Sequence, residues 1–320
     1  VIVASAEHQA QAEATIERTG ADVRSRLSLT IAPEVVPMAS VTQRQIVSAL
    51  RLDSTQKRAI SLVASGEAAA VVSTGSTGVF AGQSARLLTA RQAPHDPEQK
   101  RIPSLVVRVP RPNGGHLLVT DVGLQRDVDP LHYLHFAATA SDLAPALLDK
   151  YTALTFATHS MGQEVGKGPK HVTAGHQHVV GAGYHCPVHA EAKHILEGAI
   201  DDLPLDAVLV DGPTGNALLK MAEAATQSLR GAVREELRQT PWMLQRWVLY
   251  ACAAVFKPTM QRAGRRRQRA VGAAVVGGLE QLAYKLHGGA QAEDVRDGLL
   301  QAHEMTQRLH MSRHTSPKSA

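Results

Sequence analysis

A chain of 320 residues with 44% hydrophobic but only 3% aromatic side chains can form one large domain or two small ones. Its core must rest on Ala, Val and Leu, which favours helices on a buried parallel sheet over a β-sandwich. The formal charge of +5 suits an acidic partner or an anionic surface but not the dense basic stripe of a nucleic-acid protein. Two distant cysteines, Cys186 and Cys252, argue against a disulfide framework and make a cytoplasmic compartment the expectation. No apolar run reaches the roughly 20 residues needed to span a bilayer.

The chain opens on Val1 and runs straight into an apolar triplet, which reads as a start inside a domain. Apolar spacing predicts a strand over 1–4, a helix over 8–19 stopped by Gly20, and a short apolar run over 27–31. A mostly helical stretch covers 46–66, with Asp53-Ser54-Thr55 offering a cap inside it. A strand over 68–72 leads into the turn Ser73-Thr74-Gly75-Ser76-Thr77-Gly78, and a helix follows over 78–91. Strands over 105–110 and 116–120 flank Pro112-Asn113-Gly114-Gly115, a hairpin-type connection. Asp129 caps a helix over 130–150, and a strand follows over 154–158. A buried strand over 207–210 stops at Asp211-Gly212, and a helix covers 215–238. Small residues dominate 271–279, a last helix covers 294–310, and 311–320 reads as a flexible tail.

Strand–turn–helix repeated in this way predicts an α/β fold, a three-layer doubly wound (Rossmann-like) sheet with helices on both faces. Ligands of such folds bind beyond the carboxyl ends of the strands, which is where the glycine turns fall.

The turn at 73–78 joins a strand to a helix, so its backbone N–H groups and hydroxyls suit an anion; alternatively it is a tight connection with no ligand. Asp211-Gly212-Pro213-Thr214-Gly215-Asn216 repeats that design. Lys220, one turn on, either supplies positive charge or is a solvated helix residue. Asp121-Val122-Gly123 ends another strand, and Asp121 is expected to serve a site. In the loop from Gly162 to Gly168, Glu164 and Lys167 either grip an anion or pair with each other.

His171, His176, His178, His185, His189 and His194 cluster around Cys186. Their spacings match no standard zinc site, so no metal is expected, and surface histidines are the ordinary outcome. Trp242, Leu244, Trp247 and Leu249 precede a basic run containing Arg265, Arg266 and Arg267. Such a segment either lies on an anionic membrane surface or receives an acidic carrier, or it is a buried helix with a solvated basic tail.

These pieces occur in an order that resembles the PlsX-type phosphate acyltransferases. The likeness rests on residues 64–78, on Asn113-Gly114-Gly115, and on Asp121-Val122-Gly123 followed by Asp127, Pro130, His132 and Phe136-Ala137. It continues through Gly162, Glu164, Lys167 and Gly168, through Glu197-Gly198, and through Asp211-Gly212, Gly215-Asn216 and Leu219-Lys220. Gly272-Ala273-Ala274 and His287-Gly288 close it. Ser76, Gln125 and Gln163 stand where that family carries Asn, Asn and Glu, and its opening strand has no counterpart.

The resemblance implies an isopropylmalate/isocitrate dehydrogenase-like sheet forming one domain over 1–310, with a protruding apolar and basic helical segment over 240–269. It implies transfer of a fatty acyl group from acyl carrier protein to inorganic phosphate, by a homodimer without a cofactor that touches the membrane surface peripherally. Phosphate and substrate would meet Ser73, Gly75, Ser76, Thr77, Gly78, Asn113, Gly212, Gly215, Lys220 and His287. Lys167 would supply positive charge, Asn216 would face the oxyanion, and Asp121 and Asp211 would orient the donors. Three other readings stay open: a non-catalytic relative that binds acyl chains or the carrier, a phosphotransacetylase-like enzyme using acyl-CoA, and a zinc enzyme.

Overall fold

The computed structural model describes residues 1–36, 47–112, 114–164, 166–239 and 273–315. Asn113 and the whole segment from Trp242 to Arg267 lie outside the described residues, as does the end of the expected tail.

The first elements are β1 (Ile2–Ser5), α1 (Gln9–Glu17), α2 (Ala21–Arg24), β2 (Leu29–Ala32), α3 (Thr55–Ala64), β3 (Ala70–Ser73) and α4 (Thr77–Leu87). There follow β4 (Ser104–Pro110), β5 (His116–Thr120), α5 (Pro130–Leu148), β6 (Phe156–His159), α6 (Lys170–Gly181), β7 (Val188–Ala190) and α7 (Ala192–Glu197). The last are β8 (Ala199–Ile200), β9 (Leu203–Pro204), β10 (Ala207–Leu209), α8 (Gly212–Gln239), β11 (Ala273–Gly277), β12 (Leu282–Leu286) and α9 (Ala292–Thr315).

These elements form two compact units. The first comprises Val1–Leu105, Ala138–Thr152 and Ala273–Ala320. Within it β1 and β2 pair in parallel, with Ile2 opposite Leu29. A separate group has β12 between β3, to which it runs parallel, and β11, to which it runs antiparallel. α9 packs on β12 and β3. α3 starts where the sequence places a cap: the Ser54 hydroxyl accepts the Lys57 N–H at 3.3 Å.

The second unit comprises Val106–Ala137 and Ala153–Gly272. Its strands run in the order β4-β5-β10-β6-β7. The β4–β5 pair is the expected antiparallel hairpin, and β5, β10, β6 and β7 are mutually parallel. Leu117, Leu118, Ala157, Ala207, Val208 and Leu209 are completely buried, as a parallel sheet covered by helices demands. Asp129 caps α5 as expected, its Oδ1 accepting the N–H groups of Leu131 (2.9 Å) and His132 (3.2 Å).

Two stretches differ from the sequence reading. Residues 271–279, read as merely small, contain β11, and β12 follows. Ala-Ala-Val-Val-Gly has no alternation to mark a strand; only its pairing with β12 makes it one. The histidine-rich stretch, read as surface, folds into α6, β7 and α7. His189 and His194 are buried, at 2% and 3% exposure, because one points inward from β7 and the other closes the capping box of α7 with Glu191.

α6 approaches α5 through Gly175, where a Cβ would sit 2.3 Å from Cδ2 of the buried Tyr133. Gly175→Ala is therefore expected to destabilise the protein by about 1–3 kcal/mol in urea unfolding through overpacking. Gly231→Ala on α8, where nothing lies within 4 Å, is expected to stabilise it by roughly 0.5–1 kcal/mol.

Candidate functional site

The parallel register of the second unit puts Thr120, Leu209 and Thr158 side by side on β5, β10 and β6. The residues just past them therefore meet at the carboxyl edge of three neighbouring strands: Asp121, Asp211, and His159 with Ser160. β5 and β10 stay paired to their last residues, Asp121 N–H donating to Val210 O at 2.9 Å and Val210 N–H to Thr120 O at 2.7 Å.

Asp121 is fully buried, and its Oδ2 accepts the N–H groups of Leu124 (2.8 Å) and Gln125 (2.6 Å). The side chain thus folds the loop after β5 into a tight turn. That turn locks against the first turn of α8. A Cβ on Gly215 would lie 1.9 Å from the Asp121 carbonyl oxygen, and one on Gly212 would lie 1.9 Å from the Gln125 carbonyl oxygen. In return, Gly123, at φ +118°, leaves room for Asn216, whose Cβ would be 2.9 Å from a Cβ there. Gly212 and Gly215, expected to face a ligand, let two pieces of backbone touch.

Asp211 caps α8. Its carboxylate accepts the Thr214 N–H at 2.9 Å and the Thr214 hydroxyl at 2.8 Å, and its carbonyl accepts the Gly215 N–H at 2.8 Å. Pro213 has no N–H, so much of this helix terminus is already occupied by its own chain. Asn216 is different. It is exposed, its position is fixed by Gly123, and among the described residues its amide has no hydrogen-bond partner. This is the group of the turn that a ligand can reach.

Two residues missed by sequence reasoning stand near Asp211. Tyr133 is fully buried; burial, and then the Asp211 charge, push its phenol far above the ordinary range, so it stays neutral. Burial lowers the His159 imidazole, and Asp211 opposes that shift. The Tyr133 hydroxyl and His159 Nε2 are buried without hydrogen-bond partners among the described residues. A histidine closing a predicted strand is the one signal that could have drawn attention to His159.

The loop between β6 and α6 resolves an open choice. Lys167 Nζ lies 2.8 Å from Glu164 Oε1, both side chains being well exposed, so the two pair with each other. The hydrogen bond and charge of Glu164 raise the Lys167 pKa, and Lys167 lowers that of Glu164. The loop is pinned from below, the Ser160 hydroxyl donating to the Lys167 carbonyl. Lys220 takes the bland alternative: it pairs with Glu223 at 2.9 Å on the exposed face of α8.

In the first unit, the turn at 73–78 is filled by Gln56 of α3, a residue with no distinguishing sequence signal. Its Nε2 donates to Ser73 Oγ (3.2 Å) and to the Ser76 carbonyl (3.3 Å), and Ser73 Oγ also accepts the Gly75 N–H at 3.2 Å. A Cβ on Gly75 would be 2.4 Å from Gln56 Nε2, so that glycine accommodates a side chain of the protein. Thr77 and Gly78 open α4, and Ser76 makes no side-chain cap. His287 is exposed just after β12, its Nδ1 accepting the Gly289 N–H at 3.0 Å. Among the described residues no three His, Cys, Asp or Glu side chains are grouped to hold a metal.

The family model described as "Fatty acid synthesis protein" matches residues 2–313. A relative from Paraburkholderia phytofirmans named phosphate acyltransferase is 27% identical over 266 residues, 83% of this chain and 67% of that one. Another of the same name, from Cupriavidus taiwanensis, is 28% identical over 269 residues, 83% of this chain and 69% of the other. Among solved structures, a phosphotransacetylase from Streptococcus pyogenes superposes with a TM-score of 0.52 at 12% identity, covering 88% of this chain and 78% of its own. That last likeness concerns the fold alone and bears out the α/β class.

Asp121→Ala is expected to strand the Leu124 and Gln125 N–H donors and loosen the interlocked turns. The expected loss is about 3 kcal/mol or more by denaturant unfolding, at 1–3 kcal/mol per unsatisfied group. Glu164→Gln, which breaks an exposed pair, should leave the same unfolding curve unchanged.

Proposed function

The chain belongs to the fatty acid synthesis protein family, and on that premise we propose that it is a phosphate acyltransferase. In this reading it moves a fatty acyl group from the thioester of acyl carrier protein to inorganic phosphate, giving acyl phosphate for phospholipid synthesis. The supporting comparison is with relatives that carry the name phosphate acyltransferase. The supporting observation in the molecule is the exposed Asn216 amide, held in place by Gly123 at the carboxyl edge of β5 and β10.

The chemistry asks little covalent work of the protein. A phosphate oxygen attacks the thioester carbonyl, the C–O bond forms, the C–S bond breaks, and the thiol leaves with the proton of hydrogen phosphate. Phosphate is its own nucleophile, so no serine–histidine pair is required. What is required is positioning and stabilisation of the oxyanion. Asn216 would donate to that oxyanion. Asp121 and Asp211 would act by fixing the two turns that carry it. Lys167 would meet phosphate by exchanging Glu164 for the ligand.

The surplus of positive charge, +5 over the whole chain, would attract the acidic carrier. The segment carrying Trp242, Trp247 and Arg265 to Arg267 would rest on the membrane, where the product is used. Among the described residues no helix is long and apolar enough to cross a membrane. A cytoplasmic homodimer without cofactor completes the proposal.

Mixing the protein with acyl carrier protein thioester and phosphate, and trapping acyl phosphate with hydroxylamine, tests it. Product above a boiled control is expected; no product overturns the reading. Replacing the carrier by a coenzyme A thioester identifies the donor. Asn216→Ala is expected to lower kcat by roughly 10²–10³, the usual cost of one oxyanion donor, without moving the unfolding midpoint.

A further inference from the structure

The histidine-rich stretch is absorbed neither by the acyl-transfer chemistry nor by a metal site. Its buried part lies inside the second unit, in the consecutive elements β6, α6 and β7. Thr158 of β6 and His189 of β7 are register partners on adjacent strands. Thr158 Oγ1 lies 2.7 Å from His189 Nδ1 and 3.1 Å from His176 Nδ1 of α6. The two imidazoles stack at 4.4 Å between centroids, inclined by 40°. Cys186 Sγ is 3.5 Å from His176 Nδ1. Thr158 and His189 are 0% and 2% exposed, and His176 is half-buried.

One hydroxyl has one proton. Thr158 can donate to one Nδ1 only, and must accept an N–H from the other. The shorter contact assigns the donation to His189 and the acceptance to His176. This arrangement requires His189 to be neutral, with Nδ1 bare; His176 already donates from Nδ1 and would take its charge at Nε2. Protonating His189 turns two N–H groups onto the same oxygen and takes from the Thr158 hydroxyl its acceptor at Nδ1. It also places a charge in the interior, with His189 Nε2 already buried and unpartnered.

Among the described residues no negative charge faces the pair; burial lowers His189, and a hydrogen bond to the Thr158 backbone opposes that shift without overcoming it. From the segment before β7 comes Cys186, whose thiol burial pushes up to about 12, so it carries no negative charge. From β6 comes the neutral Thr158. Against the other side of α6, α5 presents Tyr133, whose ring lies near His171 and whose phenol is held neutral. Among the described residues the charge acting on His176 would be that of His189, and it repels.

We propose that His176 and His189 form an acid-sensitive latch: uncharged, they hold α6 on β6 and β7; protonated, they release α6 and with it the Glu164–Lys167 loop that leads into it. Release reaches the loop because its upper end is the start of α6, while its lower part is held at Ser160, one residue past β6, and by Gln163, 3.4 Å from His194 of α7.

Burial lowers both imidazoles from the ordinary 6.5. The released or unfolded form therefore binds protons that the latched form does not. The latch is at full strength above pH 6.5 and weakens as pH falls below it, down to the depressed values in the latched state. Each histidine that must charge raises the opening equilibrium by up to about tenfold per pH unit, so two give up to about 10².

The latch is independent of the acyl-transfer reading and is tested without turnover. Amide hydrogen exchange is measured on the whole chain from pH 7.5 to 5.0, corrected for intrinsic rates. Protection of α6 and β7 should fall tenfold or more below pH 6.5 while that of α3 and α9 holds. In His176→Gln/His189→Gln this selective fall should vanish. Uniform protection across the interval in the wild type, or a selective fall that survives in the double variant, overturns the latch. Should the variant not fold, a proton titration of the wild-type rings decides: both midpoints below 6.5 support the latch, and a midpoint at or above 6.5 for either ring overturns it.

Discussion

Two segments of backbone touching without side chains between them organise the second unit. The Asp121 and Gln125 carbonyl oxygens occupy the places where side chains at positions 215 and 212 would be. Nothing larger than glycine fits either position. The contact sets the distance between the carboxyl end of β5 and the start of α8, and it fixes the direction in which α8 leaves the sheet. Asp121 sustains it from one side by gathering two N–H groups onto one oxygen, and Asp211 from the other by capping α8.

The functional proposal rests on what this contact leaves over. Because Asp211 and Thr214 satisfy the helix terminus internally, the glycines are not the ligand-facing part of the turn. Asn216 is the polar group of the turn left exposed, since the packing that consumes its neighbours holds it against Gly123. The carboxylates then matter as the parts that keep an amide in place, and the acyl-transfer proposal needs no proton from them. A similar economy governs the first unit, where Gln56 fills the turn at 73–78 and bridges Ser73 and Ser76. The loop after β6 is also internally satisfied, with Lys167 held by Glu164 and by Ser160. The same β6 carries Thr158 one way, to the histidine pair, and ends in His159 beside Asp211. One strand therefore supports both the candidate site and the proposed latch.

Much of this is legible in the chain before folding. Ser54 and Asp129 cap helices where their residue types predict, because an N-cap needs only a short polar side chain and the next few N–H groups. The hairpin of β4 and β5 follows from a Gly-Gly connection between two apolar runs. Asp121 and Asp211 are legible as strand-ending acids beside glycines. Gln56 and Tyr133 are not, since nothing within a few residues of them distinguishes them from ordinary helix positions, and His159 carries only the signal of a histidine at the end of a predicted strand.

Sequence alone determined the α/β class, the β4–β5 hairpin and the starts of α3 and α5. Each of these depends on periodicity and on turn residues acting over a few positions. The tertiary structure decided what the turns and loops face. Gly212 and Gly215 meet protein, Lys167 and Lys220 are paired, and His189 is buried opposite Thr158. Such outcomes depend on strand register and on helices brought together from positions far apart in the chain, and no local pattern encodes which neighbour arrives.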